Sequence, residues 1–281
     1  MEIDIGTGGS VTLLLQSILL PALFADKPSR ITVIGGTDVP FAMPMDYFTE
    51  ILVPQLRSWA EKLEVKVLRR GYLPAGGGKV EVFVKPKLKR SAYASWNEFI
   101  QGIREQIPAF SLATPGNPVF LRGISHASQD LEKDRVAERQ SHAAQVALAS
   151  VKVDTRIRSE YSDSASTGSG ITLWAVFSKN AEDIDDTRPV RLGADALGQK
   201  GFPAENVGKT AAKRLLDAIT SGAPVDMHLA DNLVPFLALA GGSIRAESIT
   251  DHTKTNVELV HAFLGNVLTI EGKTITTAPR A

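Results

Sequence analysis

Apolar positions recur at helical spacing in some stretches of the chain and alternate in others, and the order of the two patterns repeats. Residues 10–25 form a nearly continuous apolar run holding Gln16, Ser17 and Pro21, which predicts a helix with the proline near its end. A strand is expected at 30–34. Residues 44–62 then place Phe48, Ile51, Leu52, Leu56 and Trp59 on one helical face. Strands at 65–70 and 79–84 follow, joined by the turn Gly71-Tyr72-Leu73-Pro74-Ala75-Gly76-Gly77-Gly78. The C-terminal part runs through the same order. A helix at 226–240 carries Pro235, a strand covers 244–249, and a helix covers 255–264. Strands at 267–270 and 273–277 finish it, with Glu271-Gly272 as the hairpin turn. Helix–strand–helix–strand–strand therefore occurs twice, an internal repeat of pattern rather than of identity.

The segment between the copies reads differently. A polar helix at 95–106 leads to Pro108, Pro115, Gly116 and Pro118, the composition of a linker. Strands are expected at 119–125, 154–161, 170–177 and 191–194, with helices at 134–149 and 204–220 and loops at 162–170 and 180–186. Helices and sheets must cover each other's apolar faces, so the fold class is a two-layer α/β (α+β) arrangement. It comprises repeated βαβαββ units, residues 1–114 and 221–281, with a smaller α/β domain inserted at 115–220. Only residues 2–5 offer a leading strand for the first unit.

Composition narrows the function. Of 281 residues, 43% are hydrophobic, enough for a folded interior. Lys+Arg and Asp+Glu balance at 31 each, so a nucleic acid would be met at a local site rather than over a basic surface. The absence of cysteine removes disulfides, thiolate metal sites and cysteine nucleophiles. The acidic start Met-Glu-Ile-Asp is unlike a secretory signal, and the apolar run 11–25 is short for a membrane span. An intracellular protein of cytoplasm or nucleus, without a membrane partner, is expected.

One stretch invites chemistry. Thr250-Asp251-His252-Thr253-Lys254-Thr255-Asn256 sets a histidine just ahead of the last helix, for which Thr255 and Glu258 form a capping box. Unpaired backbone N–H groups and the helix dipole there attract anions and oppose imidazole protonation, which favours a nucleophilic ring nitrogen. From position alone a plain surface histidine is the simpler reading. His228, Asp231 and Asn232 share a helical face at i, i+3 and i+4, either a polar site or a solvated side. Gln16 needs a polar partner within its apolar run, either a ligand or another core group. Gly6-Thr7-Gly8-Gly9-Ser10 precedes a helix, as an anion cradle or a tight turn. His126, His142 and His261 show no metal-ligand spacing, and no metal site is expected.

Taken together, these stretches resemble the RNA 3'-terminal phosphate cyclase family. The resemblance is carried by Gly6–Ser10 with Gln16, by Gly35-Gly36-Thr37-Asp38-Val39-Pro40, and by Arg70-Gly71-Tyr72-Leu73-Pro74 with the glycines that follow. Gly123-Ile124-Ser125-His126-Ala127, Gly193-Ala194-Asp195-Ala196-Leu197-Gly198, the run 226–232 and His252-Thr253-Lys254-Thr255-Asn256 complete it. It implies ATP as a substrate, Mg2+, RNA 3'-phosphate ends as partners and no DNA. It further implies a covalent histidine–AMP on His252, nucleotide contacts from Gln16, His228, Leu229, Ala230, Asp231 and Asn232, and a 2',3'-cyclic phosphate as product. Asn232 stands where the family usually has Gln. Family members open with a further repeat unit that nothing here matches, so an impaired activity is expected. The alternative is a non-catalytic, cyclase-like RNA-binding or ribosome biogenesis factor.

Overall fold

The repeated pattern is a repeated topology. The structure, a computed structural model, describes residues 1–179 and 189–278. A first sheet takes β1 (Glu2–Asp4), β2 (Ser29–Gly35), β3 (Ala60–Arg69) and β4 (Gly78–Pro86) in the order β1-β2-β4-β3. Its β1–β2 pair is parallel and the other two pairs are antiparallel. A second sheet takes β5 (Phe110–Leu112), β10 (Gly242–Arg245), β11 (Leu268–Glu271) and β12 (Thr274–Thr277) in the order β5-β10-β12-β11. Here too the first pair is parallel and the rest antiparallel. With helices α1 (Val11–Ala22), α7 (Met227–Ala240) and α8 (Asp251–Leu264), each sheet belongs to a βαβαββ unit. The leading strand β5 lies in the stretch read as a linker. Its three residues are too few to show a period, and its partner β10 is remote in sequence.

The first crossover of the second unit contains a third sheet, ordered β7-β6-β8-β9. It is built from β6 (Asn117–Ser128), β7 (Asp154–Ser162), β8 (Ser169–Ser178) and β9 (Val190–Leu197). Helices α5 (Val136–Leu148) and α6 (Ala204–Thr220) pack on one face. Every residue of β8 is buried. Leu173, Ala175 and Phe177 join the core beneath those helices, whereas Trp174 and Val176 join the larger core with Tyr47 and Ile51. Alternate side chains of one strand thus enter two cores, which explains its unbroken apolar run at 173–177.

Three local expectations are corrected. The helix expected over 44–62 is irregular and ends at Trp59, with β3 starting at Ala60. It consists of α2 (Met45–Tyr47), a π turn (Phe48–Leu52), α3 (Val53–Leu56) and a 3-10 turn (Arg57–Trp59). Pro54 has no N–H to donate, and the Val53 N–H before it reaches the Phe48 carbonyl five residues back. The last helix starts at Asp251, four residues ahead of the expected start, so Thr255 and Glu258 are interior. Its cap is Thr250, whose hydroxyl accepts from the Thr253 N–H while the Thr253 hydroxyl accepts from the Thr250 N–H. The final hairpin turns on Gly272-Lys273, because Glu271 still pairs with Thr274 and Gly272 takes a φ of 59°. The loop expected at 180–186 lies outside the described residues. Among the described residues no helix is long and apolar enough to cross a membrane.

Candidate active site

Asp226 caps α7, its Oδ1 accepting from the His228 N–H at 3.0 Å and the Leu229 N–H at 2.9 Å. The same buried carboxylate accepts from the Tyr47 hydroxyl and, at 2.9 Å, from the Gly193 N–H. One side chain therefore ties the start of α7 to α2 and to β9. The His228 ring stands edge-on to Tyr47, centroids 6.3 Å apart. Leu229 and Ala230 face the core and are fully buried, so the run offers only the side chains of His228, Asp231 and Asn232 to a ligand.

From that helix the polar groups connect outward. Asn232 Nδ2 donates to the His228 carbonyl at 2.7 Å, and Asn232 Oδ1 accepts from Gln16 Nε2 at 2.6 Å. Gln16 is half-buried rather than enclosed by its apolar run, and its amide partner is Asn232. Asp231 Oδ1 accepts from the hydroxyls of Thr250, at 2.7 Å, and Thr253, and the Asp231 carbonyl accepts from Asn256 Nδ2 at 2.9 Å. These bonds clamp the first turn of α8 onto α7. His252 is the second residue of that turn, between two residues bonded to Asp231, and is exposed. Among the described residues, the backbone N–H groups of Asp251 and His252 have no hydrogen-bond partner. The helix start can receive an anion through them. Gln16, His228, Asp231, Asn232 and the turn carrying His252 are thus brought together, although His252 sits inside the helix rather than ahead of it.

A second cluster escaped the sequence reading. Arg70 is buried, with Nη1 3.2 Å from Asp38 Oδ2, and Nη2 2.8 Å from Asp46 Oδ2 and 2.6 Å from Glu160 Oε1. His126 joins them, its Nε2 3.3 Å from Asp38 Oδ1 and its Nδ1 2.8 Å from the Tyr72 hydroxyl. Burial alone would raise the Asp38 carboxyl, but the charges of His126 and Arg70 outweigh it and hold Asp38 well below the usual range. At Asp46 burial prevails over Arg70, and the carboxyl is raised. Ligand atoms of Asp38, Asp46 and His126 lie within 4.8 Å of one another, a spacing suited to a cation. The Arg70 guanidinium already binds both aspartates. His126 showed no metal spacing in sequence because Asp38 and Asp46 come from a remote loop and from α2, and only folding gathers them.

The glycine-rich stretches serve each other. The Gly8 N–H donates to the Pro74 carbonyl at 3.1 Å, and a Cβ on Gly76 would lie 2.5 Å from the Thr7 carbonyl oxygen. Gly76 also needs a φ of 67°. The 6–10 loop is therefore packed as a turn against 71–78, and the Ala75 N–H in turn donates to Ser166 Oγ at 3.0 Å.

Repeated βαβαββ units, with a polar cluster where the start of α8 meets the side of α7, define a class of α/β proteins that present an anion-receptive helix start beside a histidine. The chain belongs to the RNA 3'-terminal phosphate cyclase family, whose model matches residues 1–270. It is 38% identical over 273 residues to the RNA 3'-terminal phosphate cyclase of Pyrococcus abyssi, covering 97% of this chain and 71% of that protein. It is 40% identical to that of Pyrococcus furiosus over 272 residues, again 97% and 71%. Against the same-named protein of Archaeoglobus fulgidus identity is 39% over 277 residues, 98% of this chain and 73% of that one.

Proposed function

We propose that this protein is an ATP-dependent enzyme that converts an RNA 3'-terminal phosphate to a 2',3'-cyclic phosphate through a covalent adenylate on His252. The observation that carries the reading is the hydrogen-bonded path from Gln16 through Asn232 and Asp231 to the turn of α8 that bears His252. An unprotonated ring nitrogen of His252 attacks the α-phosphorus of ATP. A phosphorus–nitrogen bond forms, the bond to the β-phosphate oxygen breaks, and pyrophosphate leaves with the electron pair. An oxygen of the RNA 3'-phosphate then displaces the histidine from AMP. Finally the neighbouring 2'-OH attacks the 3'-phosphorus, loses its proton and expels AMP. Gln16, His228, Asp231 and Asn232 hold the nucleotide, and the N–H groups of Asp251 and His252 face phosphate oxygens. The site lies on the core of residues 1–114 and 221–281, with 115–220 as the inserted domain.

Mg2+ arriving with the triphosphate offsets its charge and needs few protein ligands. The trio Asp38, Asp46 and His126 does not fit it, since Arg70 holds the two carboxylates. Asp231 fits better, because its Oδ2 has no hydrogen-bond partner among the described residues. ATP labelled at the α-phosphate, added with Mg2+, should transfer label to the wild-type protein in an acid-labile bond, and His252→Ala should abolish the transfer. Wild-type protein that binds RNA yet stays unlabelled would point instead to the non-catalytic RNA-binding factor.

A further inference from the structure

Phe41 is the most exposed large apolar residue among the described residues, with a relative accessibility of 105%. Its backbone is also unusual. It takes a φ of 64°, a left-handed conformation that a Cβ-bearing aromatic residue rarely adopts, in a turn directly after Pro40. Neither feature helps the fold. The ring packs against nothing, and a glycine or asparagine would sit more easily on that backbone. Phe263, the other highly exposed phenylalanine at 81%, lies on the ordinary backbone of α8 near its end. Disfavoured geometry that holds an aromatic ring in water is a feature of ligand-contacting positions.

The position of the loop says which ligand. Residues 38–44 follow β2, and the Met43 carbonyl accepts from the Thr12 hydroxyl at 2.7 Å. Thr12 lies one turn ahead of Gln16 on the same face of α1. On its other side the loop enters α2, where the Met45 N–H donates to the Thr37 carbonyl at 3.1 Å and Tyr47 meets His228 and Asp226. The loop is therefore strung between the helix of Gln16 and the residue that abuts His228, at the rim of the candidate site.

We propose that Phe41 is a stacking platform for a nucleobase brought to that site. The inference rests on the nucleotide chemistry proposed above. An exposed aromatic face stacks any base with little regard to sequence, as a site that reads RNA ends requires. Two sources can supply the base, the terminal nucleotide of the RNA and the adenine of ATP.

Equilibrium binding of each ligand to the wild type and to the variants Phe41→Gly and Phe41→Trp separates the sources, and it needs no turnover. The RNA probes are a short 3'-phosphorylated oligonucleotide and its counterpart with an abasic terminal nucleotide. Phe41→Gly should unfold at a urea concentration no lower than the wild type, while its affinity for one ligand falls about tenfold. Phe41→Trp should restore that affinity. If the terminal RNA base is the partner, the abasic probe binds the wild type about tenfold more weakly and no longer distinguishes it from Phe41→Gly. If adenine is the partner, the loss appears with ATP and both RNA probes bind as before. Unchanged affinity for ATP and RNA in a folded Phe41→Gly overturns the proposal, and so does a lowered urea midpoint in Phe41→Gly, which would make the ring structural. A wild type that binds these ligands but takes no label from ATP would overturn the adenylate reading and leave the stacking role standing.

Discussion

The Asp231 side chain joins two helices through one oxygen atom. The hydroxyls of Thr250 and Thr253 both end on its Oδ1, so the first turn of α8, and His252 with it, is placed by that carboxylate. Asp231→Ala should free the turn and cost about 2 kcal/mol for two lost hydrogen bonds, measured as a shift in urea midpoint. Labelling by ATP should slow roughly a hundredfold, since a small misplacement of a reacting group costs that much. Asp231→Asn keeps an acceptor oxygen and should hold stability near wild type while losing the charge, so its labelling rate isolates the carboxylate's electrostatic part. Of this arrangement, Asp231 and Asn232 were legible from their spacing with His228. The threonines were not. The capping pattern sought in sequence has Glu or Gln as its fourth residue, and here a second threonine fills that place.

Among the elements, α7 depends on its start. Asp226 satisfies two N–H groups of that helix, the Tyr47 hydroxyl from α2 and the Gly193 N–H from β9. Asp226→Ala removes the cap, about 1 kcal/mol, and strands a buried hydroxyl and a buried N–H, for roughly 3 kcal/mol in all. Tyr47→Phe should cost about 1 kcal/mol, and the double variant less than the two added, because they share one hydrogen bond. Denaturant unfolding of the three variants measures that coupling. Elements with a long periodic pattern were legible from sequence: residues 204–220 form one helix, and the strands of the third sheet fall within a few residues of expectation. Elements decided by a remote partner or by one imino acid were not. Phe110–Leu112 becomes a strand only because β10 lies beside it, and Pro54 turns a regular helix into a π turn.

Across the whole molecule the buried charges bind the third sheet to the first unit. Arg70, just past the end of β3, reaches Glu160 on β7, and Tyr72 reaches His126 on β6. Removing the cation with Arg70→Met takes the ion-pair partner from buried Asp46 and leaves buried Asp38 with His126 alone, and should cost about 3–5 kcal/mol. The two hydrophobic cores meet mainly through β8, so the weakened variant should also unfold in two steps, visible as non-coincident transitions of tryptophan fluorescence and circular dichroism. The same cluster sets an acid limit. Asp38 titrates lower in the folded chain than in the unfolded one. As pH falls, the unfolded chain takes up that proton first. The stability Asp38 contributes is therefore complete above the ordinary carboxylate range, near pH 4, and is lost as pH falls through that range toward the lower folded value. Asp46, raised by burial, acts in the opposite sense, its share being full below the ordinary range and lost as pH rises through its folded value. The total pH profile mixes the two, so Asp38 must be isolated by difference. The unfolding free energy of wild type minus that of Asp38→Asn should be positive at pH 7 and shrink at pH 3. A difference that stays constant or widens on acidification would mean that His126 and Arg70 do not hold Asp38 ionised, and the cluster would lose its place as the electrostatic joint between the sheets.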